Sequence, residues 1–141
     1  RHFRKVIIMK GFGLLFFASG AVYGMGGMAL GIWMGTAHDF TLASAHAHLN
    51  LLGFVTMSLM GVFYHVTPLA AARFLSRLHF GLATIGLWLM VPGIALSVTG
   101  GNPAMAIVGS LLTAAAMLTF LVNLALTAFG PVRGAARALP C

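Results

Sequence analysis

Acidic residues are almost absent from this chain: Asp39 is the only one among 141 residues. One carboxylate cannot supply the paired acid and base that many hydrolytic sites require. Cysteine is just as scarce. Cys141 is the only thiol, so no internal disulfide can form, and no Cys-x-x-Cys-His run exists for covalent haem attachment. Charged residues of both signs make up 6% of the chain, too few to solvate the surface of a water-soluble domain of this size.

Apolar residues take their place, at 60% of the chain with a mean hydropathy of +1.02. That composition indicates an integral membrane protein. Four runs come near the ~20 apolar residues that a hydrocarbon core demands, at residues 10–35, 43–66, 76–98 and 104–129. The expected architecture is all-α, a bundle of four transmembrane helices forming one domain over residues 1–141.

The eight basic residues are placed unevenly. Arg1, Arg4, Lys5 and Lys10 precede the first span, Arg73 and Arg77 surround the second connection, and Arg133 and Arg137 follow the last span. The other two connections, at 36–42 and 99–103, carry none. By the positive-inside rule both termini are expected in the cytoplasm. A net charge of +7 is then explained by orientation and anionic-lipid contact, without nucleic acid.

Gly20, Gly24, Gly27, Gly31 and Gly35 form a small-residue stripe along the first span. Such stripes let helices approach closely. Here the stripe suits internal packing as well as a protomer interface or a wall for a flat cofactor. Met25, Met28 and Met34 read as gap-fillers, with Met28 and Met34 the alternative candidates for a second ligand.

The most informative run is His46-Ala47-His48, near the start of the second span. Ionisable groups at membrane depth are functional candidates. Two helical positions separated by one residue point about 200° apart, so one imidazole goes to each side at nearly one depth. His46, Asn50, Gly53, Met57, Gly61 and Tyr64 share the first side, and His48, Leu52, Val55, Leu59 and Val62 the second. Both sides are expected to face protein or cofactor. A shared ion needs ligands three or four residues apart; a spacing of two points to two separate sites.

The other histidines carry weaker signals. His65 and His79 read as interfacial residues beside Arg73 and Arg77, with a quinone headgroup or second metal as the alternative use. His38 and Asp39 read as a solvated connection, with an outer metal or partner site as the alternative, and Asn123 reads as an interhelical hydrogen-bond partner rather than a ligand.

Residues Ala45-His46-Ala47-His48, with Met60-Gly61, Phe63, His65 and Pro68-Leu69, resemble without a gap the tenth transmembrane helix of the haem-copper oxidase catalytic subunit. In that family the two histidines ligate different haems on opposite helix faces. Read as Ala45-His46-Ala47 with Gly61, Phe63 and Pro68-Leu69, the run also resembles the family's second helix, where the histidine matching His46 ligates the low-spin haem, although Pro68 falls one residue early. The related nitric-oxide reductases share a His-x-Asn-Leu-Leu pattern that selects His48 instead. The similarity spans about 25 residues. Nothing here resembles the family's consecutive copper histidines, its copper-linked tyrosine, its acidic proton channel or an outer basic pair for haem propionates.

The family's twelve helices form three arcs of four around a pseudo-threefold axis, so the resemblance implies that this chain supplies one arc. It further implies a homotrimer in which haem b lies between protomers, ligated by His46 of one and His48 of the next. Two imidazoles saturate the iron. The implied function is that of a membrane b-type haem protein for electron transfer or redox sensing, in a bacterial inner membrane. A redox partner or a larger membrane complex is implied with it. A complete oxidase site cannot be assembled in one copy, which argues against an enzyme. Two alternatives are a haem-free scaffold subunit of a larger complex and a haem protein that binds a gas.

Overall fold

The computed structural model describes residues 9–130. Four long helices, α1 (Gly11–Ala37), α2 (Ala43–Val66), α4 (Phe74–Val98) and α5 (Ala104–Phe129), are joined by short connections, and a single turn, α3 (Pro68–Ala71), lies between α2 and α4. The long helices have 24 to 27 residues and are apolar enough to cross a membrane. At about 1.5 Å per residue the shortest exceeds the ~30 Å hydrocarbon core. The chain is a multi-pass membrane-spanning bundle, with three boundaries moved from expectation: α1 starts at Gly11 and runs on to Ala37, and α4 starts at Phe74 rather than Ser76.

α1 packs chiefly on α2, and α4 on α5. Glycine makes both pairings possible. A Cβ on Gly20 would lie 3.0 Å from the Ser58 nitrogen, and one on Gly61 would lie 2.7 Å from the Phe17 nitrogen. Gly86, Gly93 and Gly109 serve the α4–α5 contact in the same way. The α1 stripe is therefore used for packing inside the chain, from Gly20 through Gly31; only Gly35 has open space where a Cβ would project. Neither a protomer interface nor a cofactor wall is needed to explain the other four.

α2 changes winding along its length. Ala43–His48 and Met57–Val66 are α-helical, but Leu49–Thr56 between them is π-helical. The Thr56 hydroxyl donates to the Leu51 carbonyl, five residues back, at 2.8 Å, which supports the wider turn. π-turns are rare and frequently occur at functional sites.

The connections are built by specific caps. His38 sits in the left-handed region at φ 52 and closes α1 by donating its N–H to the Met34 carbonyl. Asp39 Oδ1 accepts the Thr41 N–H at 2.9 Å and its hydroxyl at 2.6 Å, which together hold the carboxyl below its ordinary pKa. Asn102 Oδ1 accepts the Ala104 N–H at 2.8 Å at the head of α5. Lys10, Arg73 and Arg77 all lie at the opposite end, called here the basic end, where α1 begins and α2 gives way to α4. The other five basic residues, at positions 1, 4, 5, 133 and 137, lie outside the described residues.

The tightest core also lies toward the basic end. Phe16, Met57, Tyr64 and Ala70 are buried there, packed by Phe63, Phe80 and Phe120. Elsewhere the surface is apolar, with Leu51, Leu59, Trp88 and Leu111 all more than 60% exposed. This is the surface that a bilayer covers.

Candidate functional site

The two histidines of α2 have different surroundings. His46 faces α1, where its Cε1 would lie 2.9 Å from a Cβ on Gly31. The absent side chain of Gly31 is what gives this imidazole its place. Asn50, one turn on, anchors its amide by donating to the His46 carbonyl at 2.9 Å. Its nitrogen lies 3.4 Å from each ring nitrogen; equal separation places it over the ring, because in the ring plane it would collide with Cε1. Neither imidazole lone pair of His46 is therefore consumed by an in-plane bond to Asn50.

His48 is half-buried and turned away from that seam. Its Nδ1 lies 2.8 Å from the Ser44 carbonyl oxygen. A carbonyl only accepts, so Nδ1 carries a proton, and in the neutral imidazole Nε2 keeps its lone pair. This is the arrangement of metal-ligating histidines, in which one nitrogen donates to backbone and the other is left to coordinate. Below His48, Val55, Leu59 and Val62 are exposed. The expectation that both sides of α2 face protein holds within one chain for the His46 side; the second side is mixed, since Leu52 lines a cavity against α4 and α5 while those three residues are exposed.

The apolar groove of about 290 Å³ bounded by Val22, Tyr23, Leu49, Leu87, Trp88 and Val91 touches neither histidine. No group of three or more His, Cys, Asp or Glu side chains that could hold a metal ion occurs among the described residues.

A second constellation escapes sequence reasoning. His79 is not interfacial: it is 2% exposed, buried between α2, α4 and α5. Its Nδ1 is 3.0 Å from the Tyr64 hydroxyl. Asn123, wholly buried as an interhelical partner, donates from Nδ2 to the Ala70 carbonyl at 3.1 Å and reaches the Tyr64 hydroxyl at 3.4 Å. Arg73 closes the cluster, donating to Asn123 Oδ1 at 3.1 Å, to the Thr127 hydroxyl at 2.8 Å and to the Leu126 carbonyl at 3.0 Å. Its guanidinium thus caps the C-terminal carbonyls of α5, where a cation is favoured. Phe16 and Phe120 rings pack on His79 at 4.8 and 5.4 Å.

His65 is half-buried beside a groove of about 420 Å³ at the basic end, which Lys10, Phe12, Tyr64 and Pro68 also line. His38 serves as the α1 cap described above. The signal that could have located His79 is periodic: Ser76, His79, Gly86, Met90 and Gly93 are all buried on one face of α4, and this spacing is visible in the sequence.

Comparison of the chain with known protein families, with curated proteins and with solved structures finds no match. The similarity to haem-copper oxidases accordingly rests on residues 45–69 alone.

Proposed function

We propose that this chain is a membrane b-type haem protein for electron transfer or redox sensing, with haem held between protomers by His46 of one copy and His48 of the next. The observation that carries the reading is the 2.8 Å bond from His48 Nδ1 to the Ser44 carbonyl. It places a proton on Nδ1, so that the neutral imidazole keeps its lone pair on Nε2, as an axial ligand requires. His46 supports the reading more modestly, since Asn50 and Gly31 position its ring without tying up either nitrogen. Haem iron with two imidazole ligands exchanges single electrons and offers no axial position to a gas. The two rings point apart on one helix, so ligation by both needs two copies, and closed cyclic rings accommodate such head-to-tail contacts. In this reading the basic end faces the cytoplasm of a bacterial inner membrane.

Absorption spectra of the protein purified in detergent, oxidised and then dithionite-reduced, test it directly. Sharp reduced haem bands are expected, and either His46→Ala or His48→Ala should remove most of the haem, whereas His65→Ala should leave the spectrum nearly unchanged. A colourless, folded protein supports a haem-free scaffold instead, and bleaching by His65→Ala alone overturns the ligand assignment.

A further inference from the structure

No cation at the basic end has an acidic side chain to pair with. Asp39 is the only acid in the chain; it follows α1, and its carboxylate already accepts both Thr41 donors. Lys10 precedes α1, whose 27 residues put about 40 Å between the two charges at ~1.5 Å per residue. Arg73 is satisfied by the acceptors at the end of α5. Lys10 and Arg77 are exposed, so their counter-charge comes from outside the chain.

Lys10 differs from Arg77 in its setting. It lines the groove of about 420 Å³ between the start of α1 and the end of α2, within the roughly 300–1,000 Å³ of small-ligand sites. His65, half-buried, lines the same groove. His48 and His79 each have a hydrogen-bond partner inside the chain, whereas the His65 ring has none among the described residues. In either tautomer a neutral imidazole keeps one N–H to donate. Phe12, Pro68, Ala71 and Ala72 supply apolar lining, and the chain neighbours Val66 and Leu69 are exposed. Cationic and N–H donors beside apolar walls, at the depth where α1 and α2 reach the membrane surface, complement an anionic amphiphile. A free anion would leave the apolar walls unused.

We propose that this groove binds one anionic phospholipid per chain, its phosphate held between the Lys10 ammonium and the His65 N–H and its acyl chains running from there into the bilayer. The attraction of the basic end for an anionic leaflet is diffuse, whereas this site is local. It makes no use of His46, His48 or a haem.

Native mass spectrometry of the whole protein in detergent, titrated with phosphatidylglycerol or with phosphatidylcholine of the same acyl chains, reads the site. The first phosphatidylglycerol should bind about fivefold more tightly than phosphatidylcholine, the scale of one basic contact at a membrane surface. Glycerol 3-phosphate, the head without the chains, should not bind at the same concentrations. Lys10→Gln should weaken the first phosphatidylglycerol about fivefold, and His65→Ala about threefold through the lost hydrogen bond. Arg77→Gln removes the same charge from the same end but outside the groove, and should change the affinity by less than about twofold. Equal affinity for phosphatidylcholine overturns the anionic site, and tight binding of glycerol 3-phosphate overturns the lipid. Equal losses in Lys10→Gln and Arg77→Gln overturn the groove in favour of diffuse attraction, and an affinity unmoved by His65→Ala overturns the two-point hold on the phosphate. The lipid comparisons need only the unmodified protein, and no arm depends on haem.

Discussion

Asn123 shows how one side chain can hold several elements. It lies on α5, yet binds the Ala70 carbonyl of α3, the Tyr64 hydroxyl of α2 and the guanidinium of Arg73. Replacement by a leucine of similar volume removes these partners together and leaves the Ala70 carbonyl and part of the guanidinium unsatisfied in the core. A loss of about 2 kcal/mol is expected, measurable as a lower midpoint of unfolding in a detergent titration. Leu124→Ala, on the outer surface of the same helix, should cost well under half of that. At this scale the sequence is partly legible. An isolated amide in an apolar run must find partners, and Asn123 finds them between helices. Proximity to Arg77 suggests an interface for His79, whereas the α4 periodicity turns it inward, away from solvent. Arg73, read as a topological charge, also has a cap to fill, which depends on where α5 ends in space rather than on its neighbours in sequence.

At the scale of elements, helix approach is set by glycine. A Cβ on Gly109 would lie 2.6 Å from the Met90 Cα, whereas one on Gly81 meets nothing within 4 Å. Gly109→Ala should therefore force α4 and α5 apart and cost about 1–3 kcal/mol, as overpacked cores do. Gly81→Ala should be neutral or stabilising by up to about 1 kcal/mol. Unfolding midpoints of the two variants, compared under one detergent condition, check the contrast. The four spans were legible because length and hydropathy suffice to define them. The π-helical stretch Leu49–Thr56 was not, since it depends on backbone bonding that a wheel at 100° per residue presupposes away. The wheel nevertheless sorted the faces of α2: Gly53, Met57, Gly61 and Tyr64 are buried, while Val55, Leu59 and Val62 are exposed.

The whole molecule has two ends of unlike charge, and in the proposed state more than one copy. With Cys141→Ser as background, Thr36→Cys and Gly101→Cys should react with an impermeant thiol reagent applied outside the cell, and Ala72→Cys only after permeabilisation; the reverse pattern refutes the orientation. Haem between copies makes a sharper forecast. His46 faces the α1 seam and His48 is turned away from it, so a His46→Ala chain retains one ligand and a His48→Ala chain the other. Neither variant alone can assemble a bis-histidine site at any interface. Co-expression restores interfaces where an intact His46 meets an intact His48, and random mixing in a closed trimer leaves a substantial minority of these intact. Haem per protomer and particle mass, measured together on the co-expressed pair, should therefore show partial recovery in a trimeric species. Ligation inside one chain forecasts no recovery, because two defective chains cannot complement each other, and a monodisperse monomer carrying a full haem would refute the shared site.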